Sequence, residues 1–175
     1  MNDKILLIIG LGNPGKEYAA TYHNVGQQFL SYLPYGKKAM RSQPLFSSEE
    51  VVLEKSDFVV QLIYPKTYMN DSGRAVKAAL KHFHTSPQAL LIIHDDFDIP
   101  LGEFRHMKNR GSAGHHGIDS IIQELKTKDF ARIRIGVRTS KEKASELALK
   151  KISVKDKKVL QGVFGGIQEK VIEKA

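Results

Sequence analysis

The sequence predicts an α/β fold: a single-domain three-layer sandwich, residues 1–175, in which a twisted mixed β-sheet is flanked by helices. Three observations predict it. Ile5–Ile9 is a continuous apolar, β-branched-rich run, the pattern of a central strand covered on both faces. Ala89–Ile93 is a second such run. Between and after them, strand-like stretches alternate with segments whose apolar residues recur at three-to-four spacing. The 175 residues suffice for one domain with a sizeable core, and the 41% apolar content is ordinary for a globular chain.

Taken in order, the first strand breaks at Gly10 into a turn-rich loop reaching His23. Asn24 is placed to cap a helix over Val25–Tyr32, with Pro34 and Gly36 as its stop. Residues 37–48 are polar and weakly periodic, with room for a short edge strand. Val51–Leu53 and Phe58–Ile63 read as a hairpin around residues 54–57. Asn70 or Ser72 opens a helix to about Phe83, carried by Val76, Ala79, Leu80 and Phe83. After the Ala89–Ile93 strand comes an acidic turn, 95–101, then a short edge strand, 103–107. A helix follows over about 116–125, with Ile118, Ile121, Ile122 and Leu125 on one face. Arg132–Val137 alternates charged and apolar residues and reads as a strand with one wet face. Residues 140–150 and 154–174 read as helical, with a weak point at Gly162, Gly165 and Gly166.

Composition narrows the chemistry. Lys and Arg outnumber Asp and Glu by 27 to 19, which points to an anionic partner. There is no cysteine, so disulfides, thiol catalysis and cysteine-held metals are excluded. The apolar run at residues 5–9 is too short to span a membrane and lacks a signal-peptide cleavage site, so a cytoplasmic protein without membrane association is expected.

Ligands of open α/β sheets sit beyond the carboxyl ends of strands. Asn13, Tyr18, His23 and Asn24 follow one such end, and His94-Asp95-Asp96 follows another. Gly10, Gly12 and Gly15 match G-x-G-x-x-G, yet Pro14 biases Asn13 away from helix and no Asp or Glu occurs from Tyr18 to Ser48. A dinucleotide fingerprint is therefore disfavoured against a tight turn or a catalytic loop. An imidazole is neutral near pH 7 and can take a proton from water when a carboxylate fixes its tautomer. His23 is the candidate base. Asp95, closest to the strand end, is the candidate orienter; Asp96 and Asp98 can equally close the turn. His94 with these aspartates offers metal-ligand types, but neighbours on a strand diverge and no strong signature is matched, so no metal is expected.

Asn70 is readable as a helix cap or as an amide facing the same cleft. Of the two histidines before the third long helix, His115 reads as structural and His116 as facing the cleft. Arg105, Lys108 and Arg110, with Arg132, Arg134 and Arg138, build one basic patch if their two strands adjoin, suited to phosphate contacts rather than base readout.

These stretches resemble a known family. Gly10-Leu11-Gly12-Asn13-Pro14-Gly15, with Tyr18, Thr21, His23, Asn24 and Gly26, is similar to the opening signature of bacterial peptidyl-tRNA hydrolases. Pro65–Gly73, His94–Gly102 and Gly111–Ile121 resemble its later motifs, in order, over about residues 4–150. The resemblance implies an α/β enzyme that cleaves the ester between peptide and terminal ribose in peptidyl-tRNA and recycles tRNA from stalled ribosomes. It implies peptidyl-tRNA and tRNA as partners, a monomeric state and no cofactor. The family's catalytic histidine falls on His23 and its supporting aspartate on Asp95. Its substrate-binding positions fall on Asn13, Tyr18, Asn70 and His116, and its phosphate contacts are sought among Arg105, Lys108, Arg132 and Arg134.

Two departures stand out. The family's Gly-Gly-His-Asn-Gly appears as Ala113-Gly114-His115-His116-Gly117, so a histidine replaces a substrate-holding asparagine. The family tends to carry a basic residue near Met107, a place that Lys108 or Arg105 can fill here. The rival readings are a non-enzymatic RNA-binding protein, which needs the basic patch but not His23 or Asp95, a cofactor-dependent oxidoreductase, and a metal-dependent phosphodiesterase.

Overall fold

The computed structural model describes residues 4–34, 38–51, 58–139 and 143–172. In chain order the elements are β1 (Lys4–Gly10), α1 (Val25–Tyr32), β2 (Arg41–Ser42), β3 (Phe46–Val51), β4 (Phe58–Pro65), α2 (Ser72–His82), β5 (Leu90–Pro100), β6 (Phe104–Lys108), α3 (His116–Leu125), β7 (Ala131–Arg138), α4 (Ala144–Leu147) and α5 (Val154–Ile167). Single 3-10 turns at Tyr22–Asn24 and Met69–Asp71 lead into α1 and α2.

The strands form one sheet in the order β2-β3-β4-β1-β5-β7-β6. β4, β1, β5 and β7 run parallel, while β3 and β6 flank them antiparallel. The sheet is therefore mixed, as expected. Alternation along β1 sends Ile8 to one face and Leu7 and Ile9 to the other, and all three are fully buried. On the first face Val25, Phe29 and Leu30 of α1 pack with Leu160, Val163, Phe164 and Ile167 of α5. On the second, Val76, Ala79 and Leu80 of α2 pack with Ile118 and Ile121 of α3. Each of these Val, Leu, Ile and Phe side chains contributes roughly 1.5–3 kcal/mol on leaving water.

α1, which follows β1, and α3, which lies on the connection from β5 to β7, lie on opposite faces, so a crevice opens at the carboxyl ends of β1 and β5. Two glycines make it tight. A Cβ on Gly26 would meet the Ile93 carbonyl oxygen at 2.3 Å, and one on Gly10 would meet the Gly26 oxygen at 2.5 Å. The start of α1 therefore lies directly against the end of β5.

Several elements differ from expectation. β5 does not stop at Ile93; it continues through His94, Asp95 and Asp96 because β7 goes on pairing with it, Asp95 opposite Ile135 and Asp96 opposite Gly136. The register shifts only after Asp96, where Gly136 gives the Pro100 carbonyl room. The antiparallel partner of β4 is Phe46–Val51, upstream of the expected Val51–Leu53, anchored by Phe46 against the His82 and Phe83 rings. Residues 52–57, Gly36 and residues 140–142 and 173–175 lie outside the described residues. The helix expected over 140–150 is reduced to four residues, and α5 runs unbroken through Gly162, Gly165 and Gly166.

The face of β7 expected to be wet is covered at Arg132, partly covered at Arg134 and open at Arg138. Arg132 is 2% exposed, because β6 pairs outside β7 and takes the edge, and an Arg132 Nη2 N–H donates to the Gly111 carbonyl. Among the described residues, no helix is long and apolar enough to cross a membrane.

Candidate active site

His23 sits in the 3-10 turn before α1, and Asp95 sits on β5; 72 positions apart, they meet in the crevice. His23 Nδ1 lies 2.9 Å from Asp95 Oδ2. The other carboxylate oxygen, Oδ1, lies 3.0 Å from His115 Nε2. Asp95 is fully buried, His115 nearly so, and the His23 side chain keeps 16% exposure toward the cleft.

The backbone settles the tautomers. Ile118 N–H donates to His115 Nδ1 at 3.3 Å, so His115 carries its proton on Nε2 and donates it to Asp95. With Asp95 ionised, His23 donates from Nδ1 and leaves the Nε2 lone pair free. Burial works against the charge on Asp95, but His115 and then His23 work for it more strongly and hold the carboxyl well below the usual range. Burial likewise pulls His23 down, yet the hydrogen bond and charge of Asp95 outweigh it, leaving the imidazole above its ordinary value. His94 stacks edge-on beneath His115 at 4.5 Å between ring centroids and donates from Nδ1 to the Asp95 carbonyl at 2.6 Å. Burial first, and His115 beside it, push His94 well below the normal histidine range, so it is neutral.

The cleft over this cluster encloses about 380 Å³ and is lined by His23, Asp95, Asp96, His115, His116 and Ala148 among others. His23 Nδ1, the Asp95 carboxylate and His115 Nε2 all lie within 4.8 Å of one another. These are suitable ligand types, but the same atoms hydrogen-bond each other, and a metal ion would have to replace both imidazole–carboxylate bonds.

The sequence profile described as peptidyl-tRNA hydrolase matches residues 7–174. The chain belongs to the peptidyl-tRNA hydrolase family. It is 44% identical to the peptidyl-tRNA hydrolase of Synechococcus sp. (strain CC9311) over 149 residues, 84% of this chain and 72% of the relative. It is 35% identical to that of Hydrogenobaculum sp. (strain Y04AAS1) over 173 residues, 98% of this chain and 87% of the relative. The crystal structure of the Acinetobacter baumannii peptidyl-tRNA hydrolase superposes with a TM-score of 0.86 at 34% identity, covering 97% of this chain and 88% of that one.

The other residues singled out from the sequence fall in graded positions around this family's cleft. Asn13 is held on three sides. Its N–H donates to Asn24 Oδ1 at 2.9 Å, its carbonyl accepts from Asn24 Nδ2 at 2.9 Å, and its Oδ1 accepts from Met69 N–H at 2.8 Å. Asn24, expected as a helix cap, makes no cap bond and is spent on this clamp. Asn70 follows Met69 and is exposed. Tyr18 meets the exposed ring of Tyr68 edge-on at 6.3 Å.

Both adjacent histidines line the cleft, His116 as expected and His115 with a contact to Asp95 that its structural reading did not include. His115 is the N-cap residue of α3, so its ring folds back over Ile118 N–H and reaches Asp95. His116, the first helical residue, lines the cleft from an exposed position.

The basic residues separate similarly. Arg105 and Lys108 are exposed on β6, and Lys108 lies 3.6 Å from Asp129. Arg105 pairs across the ladder with Arg134, whose Nε donates to Asp96 Oδ2 at the cleft edge. Arg132, expected in this patch, is buried and not available to a surface phosphate. Residues 20–23 also pair with 148–152, a contact that no sequence pattern announced.

Proposed function

We propose that this chain hydrolyses the ester between peptide and tRNA in peptidyl-tRNA, with His23 as general base and Asp95 as the group that orients it. The observation that carries the assignment is the 2.9 Å contact between His23 Nδ1 and the buried Asp95 carboxylate, itself pinned from behind by His115. With Nδ1–H committed to Asp95, the Nε2 lone pair takes a proton from water as the oxygen attacks the ester carbonyl. The imidazolium formed is stabilised by Asp95. It then returns the proton to the departing ribose oxygen, releasing the peptide as an acid and the tRNA with a free hydroxyl.

Asn13, with its Oδ1 already occupied by Met69 N–H, presents its amide N–H₂ as a donor for the developing oxyanion. Asn70 and His116 flank the reacting group. The Tyr18–Tyr68 pair offers an aromatic surface for a terminal base, and Arg105, Lys108 and Arg134 offer charge for backbone phosphate. In this reading the protein acts as a monomer in the cytoplasm, needs no resident cofactor, and rescues tRNA from peptidyl-tRNA shed by stalled ribosomes.

The test is cleavage of a defined N-acetyl-aminoacyl-tRNA, with products resolved as intact tRNA and acyl amino acid. His23→Ala is expected to lose on the order of 10²- to 10⁴-fold in kcat. Undiminished turnover in that variant removes His23 as the base, and RNA fragments in place of intact tRNA remove ester hydrolysis.

A further inference from the structure

His23 must be held from two sides to keep its bond to Asp95. One side is plain: α1 packs on the end of β5 through Gly26. The other side is made by the chain beyond β7. Tyr22 N–H donates to the Lys150 carbonyl at 3.2 Å, His23 N–H to that of Ala148 at 2.9 Å, and Ile152 N–H to that of Ala20 at 2.9 Å. Residues 20–23 and 148–152 thus form a short antiparallel patch outside the main sheet, with Thr21 paired to Lys151. Among the described residues, the four-residue α4 precedes this patch and buries Leu147; the larger anchor is α5, which buries Leu160, Val163, Phe164 and Ile167.

The Tyr22 side chain reaches from the turn bearing His23 to the start of α5, where Ser153 and Asp156 both contact its hydroxyl. Tyr22 Oη donates to Asp156 Oδ2 at 2.5 Å. Asp156 is fixed in the first turn of α5, where its N–H donates to the N-cap Ser153 Oγ at 3.1 Å. Tyr22 itself is 4% exposed, with its ring in the core beside α1 and α5. It does not line the catalytic cleft, so any effect on the reaction passes through its neighbour.

We propose that the Tyr22–Asp156 hydrogen bond is a positioning latch, which ties α5 to the turn carrying His23 and fixes that imidazole over Asp95. The proposal rests on the reading of His23 as the base. Asp95 stands on a central strand and cannot follow a moving partner. A turn freed from α5 therefore lengthens the His23–Asp95 contact rather than carrying Asp95 with it. Burial, with the hydrogen bond and charge of Asp156 added, raises the Tyr22 phenol to about 12, so the donor stays protonated wherever His23 titrates. The titratable groups facing His23 are Asp95 and His115, and the one facing the phenol is Asp156.

The experiment compares Tyr22→Phe, Asp156→Ala, Asp156→Asn and the Tyr22→Phe/Asp156→Ala double variant. It measures kcat and KM on peptidyl-tRNA, His23 titration by NMR of the ring C–H signals, and thermal unfolding. Tyr22→Phe and Asp156→Ala are each expected to lower kcat roughly three- to tenfold with KM within about twofold, since small displacements of a positioned base are costly. Both are expected to shift the His23 titration to lower pH, because a loosened Asp95 no longer offsets burial. Asp156→Asn keeps an accepting oxygen and retains the wild-type kcat and titration. The double variant is no worse than Tyr22→Phe alone. An unchanged kcat and an unchanged His23 titration, whatever happens to the melting temperature, overturn the latch, and so do additive losses. If wild-type protein does not cleave peptidyl-tRNA, the proposed function fails, while the NMR titration still decides whether the latch exists.

Discussion

Replacing Asp95 by Asn tests the candidate site at its centre. The change is nearly isosteric, so it asks about charge and proton direction rather than packing. The carboxylate accepts from two imidazole N–H groups, His23 Nδ1 on one oxygen and His115 Nε2 on the other. An amide has one accepting oxygen and one donating N–H₂. If the amide nitrogen faces His23, Nδ1 must accept, the ring proton moves to Nε2, and the lone pair needed for catalysis leaves the cleft. If it faces His115, Nε2 must accept and the proton moves to Nδ1, against Ile118 N–H, leaving two buried donors opposed. The second arrangement costs about 1–3 kcal/mol for the unsatisfied group, so the first competes strongly. Wrong-tautomer trapping of a histidine base costs up to about 10⁴ in rate. Loss of the counter-charge alone removes the stabilisation of the imidazolium. Asp95→Asn is therefore expected to lower kcat by about 10²- to 10⁴-fold with little change in KM, read from steady-state cleavage of N-acetyl-aminoacyl-tRNA. The His23 pKa moves as well. In the wild type Asp95 lifts it above its ordinary value against burial, so the base is lost as pH falls through that raised value. With Asp95 gone only burial remains, and the residual activity is expected to titrate at lower pH than wild type. A kcat within tenfold of wild type, or an acid limb that does not move, refutes the orienting role.

Further outcomes follow from the same structure. Asp95 has a depressed folded-state pKa, so its contribution to stability is present above the unfolded value of about 3.9 and is lost as pH falls through the folded one; acid unfolding of Asp95→Asn should be less steep than wild type over that range. Gly26→Ala places a Cβ 2.3 Å from the Ile93 oxygen, so α1 must shift off β5; both stability and kcat are expected to fall, and a variant that keeps full turnover removes the close approach as a determinant of His23 placement. Lys126 ends α3 with φ 54°, a left-handed conformation, so Lys126→Gly is expected to stabilise by about 0.5–1 kcal/mol, a rise of about 1–4 °C in melting temperature, with kcat unchanged. Arg105→Gln is expected to raise KM and reduce the salt dependence of binding by about one charge without lowering kcat; a fall in kcat with unchanged salt slope would move Arg105 out of phosphate contact.

The central sheet and the pairing of His23 with Asp95 were legible because both depend on local signals. Apolar runs mark the strands, and polar residues directly after them mark the crevice. What was not legible depends on what covers each strand. The Arg132–Val137 alternation reads as a wet face, but wetness is decided by neighbours, and β6 and the Gly111 loop cover Arg132. The end of β5 was hidden because Asp95 and Asp96 have turn-like composition, while their conformation is dictated by the β7 ladder. His115 and His116 are chemically identical letters in sequence. Only the point where α3 begins separates them, since the N-cap side chain folds back over the third helical N–H whereas the first helical side chain points away. Asn24 was misassigned for a related reason: its amide has a clamp partner, Asn13, that lies 11 positions away.

These distinctions bear on how the proposed base is built. A lone carboxylate beside an imidazole fixes one torsion of the ring and leaves the carboxylate free to rotate. Here Oδ1 is fixed by His115, and His115 is fixed by the backbone of α3, so the carboxylate plane is set before His23 contacts it. The same arrangement explains how a fully buried Asp95 stays ionised: an imidazole N–H is directed at each of its two carboxylate oxygens. It also bears on the histidine at 116. Had His116 carried the tautomer-setting contact, its replacement for the family's asparagine would alter the proton path itself. In the proposed mechanism His115 carries that contact, so position 116 lies outside the path and contributes to the cleft wall. His116→Asn is accordingly expected to change KM while leaving the acid limb of the kcat profile where it is. A displaced acid limb in that variant would place His116 in the proton path.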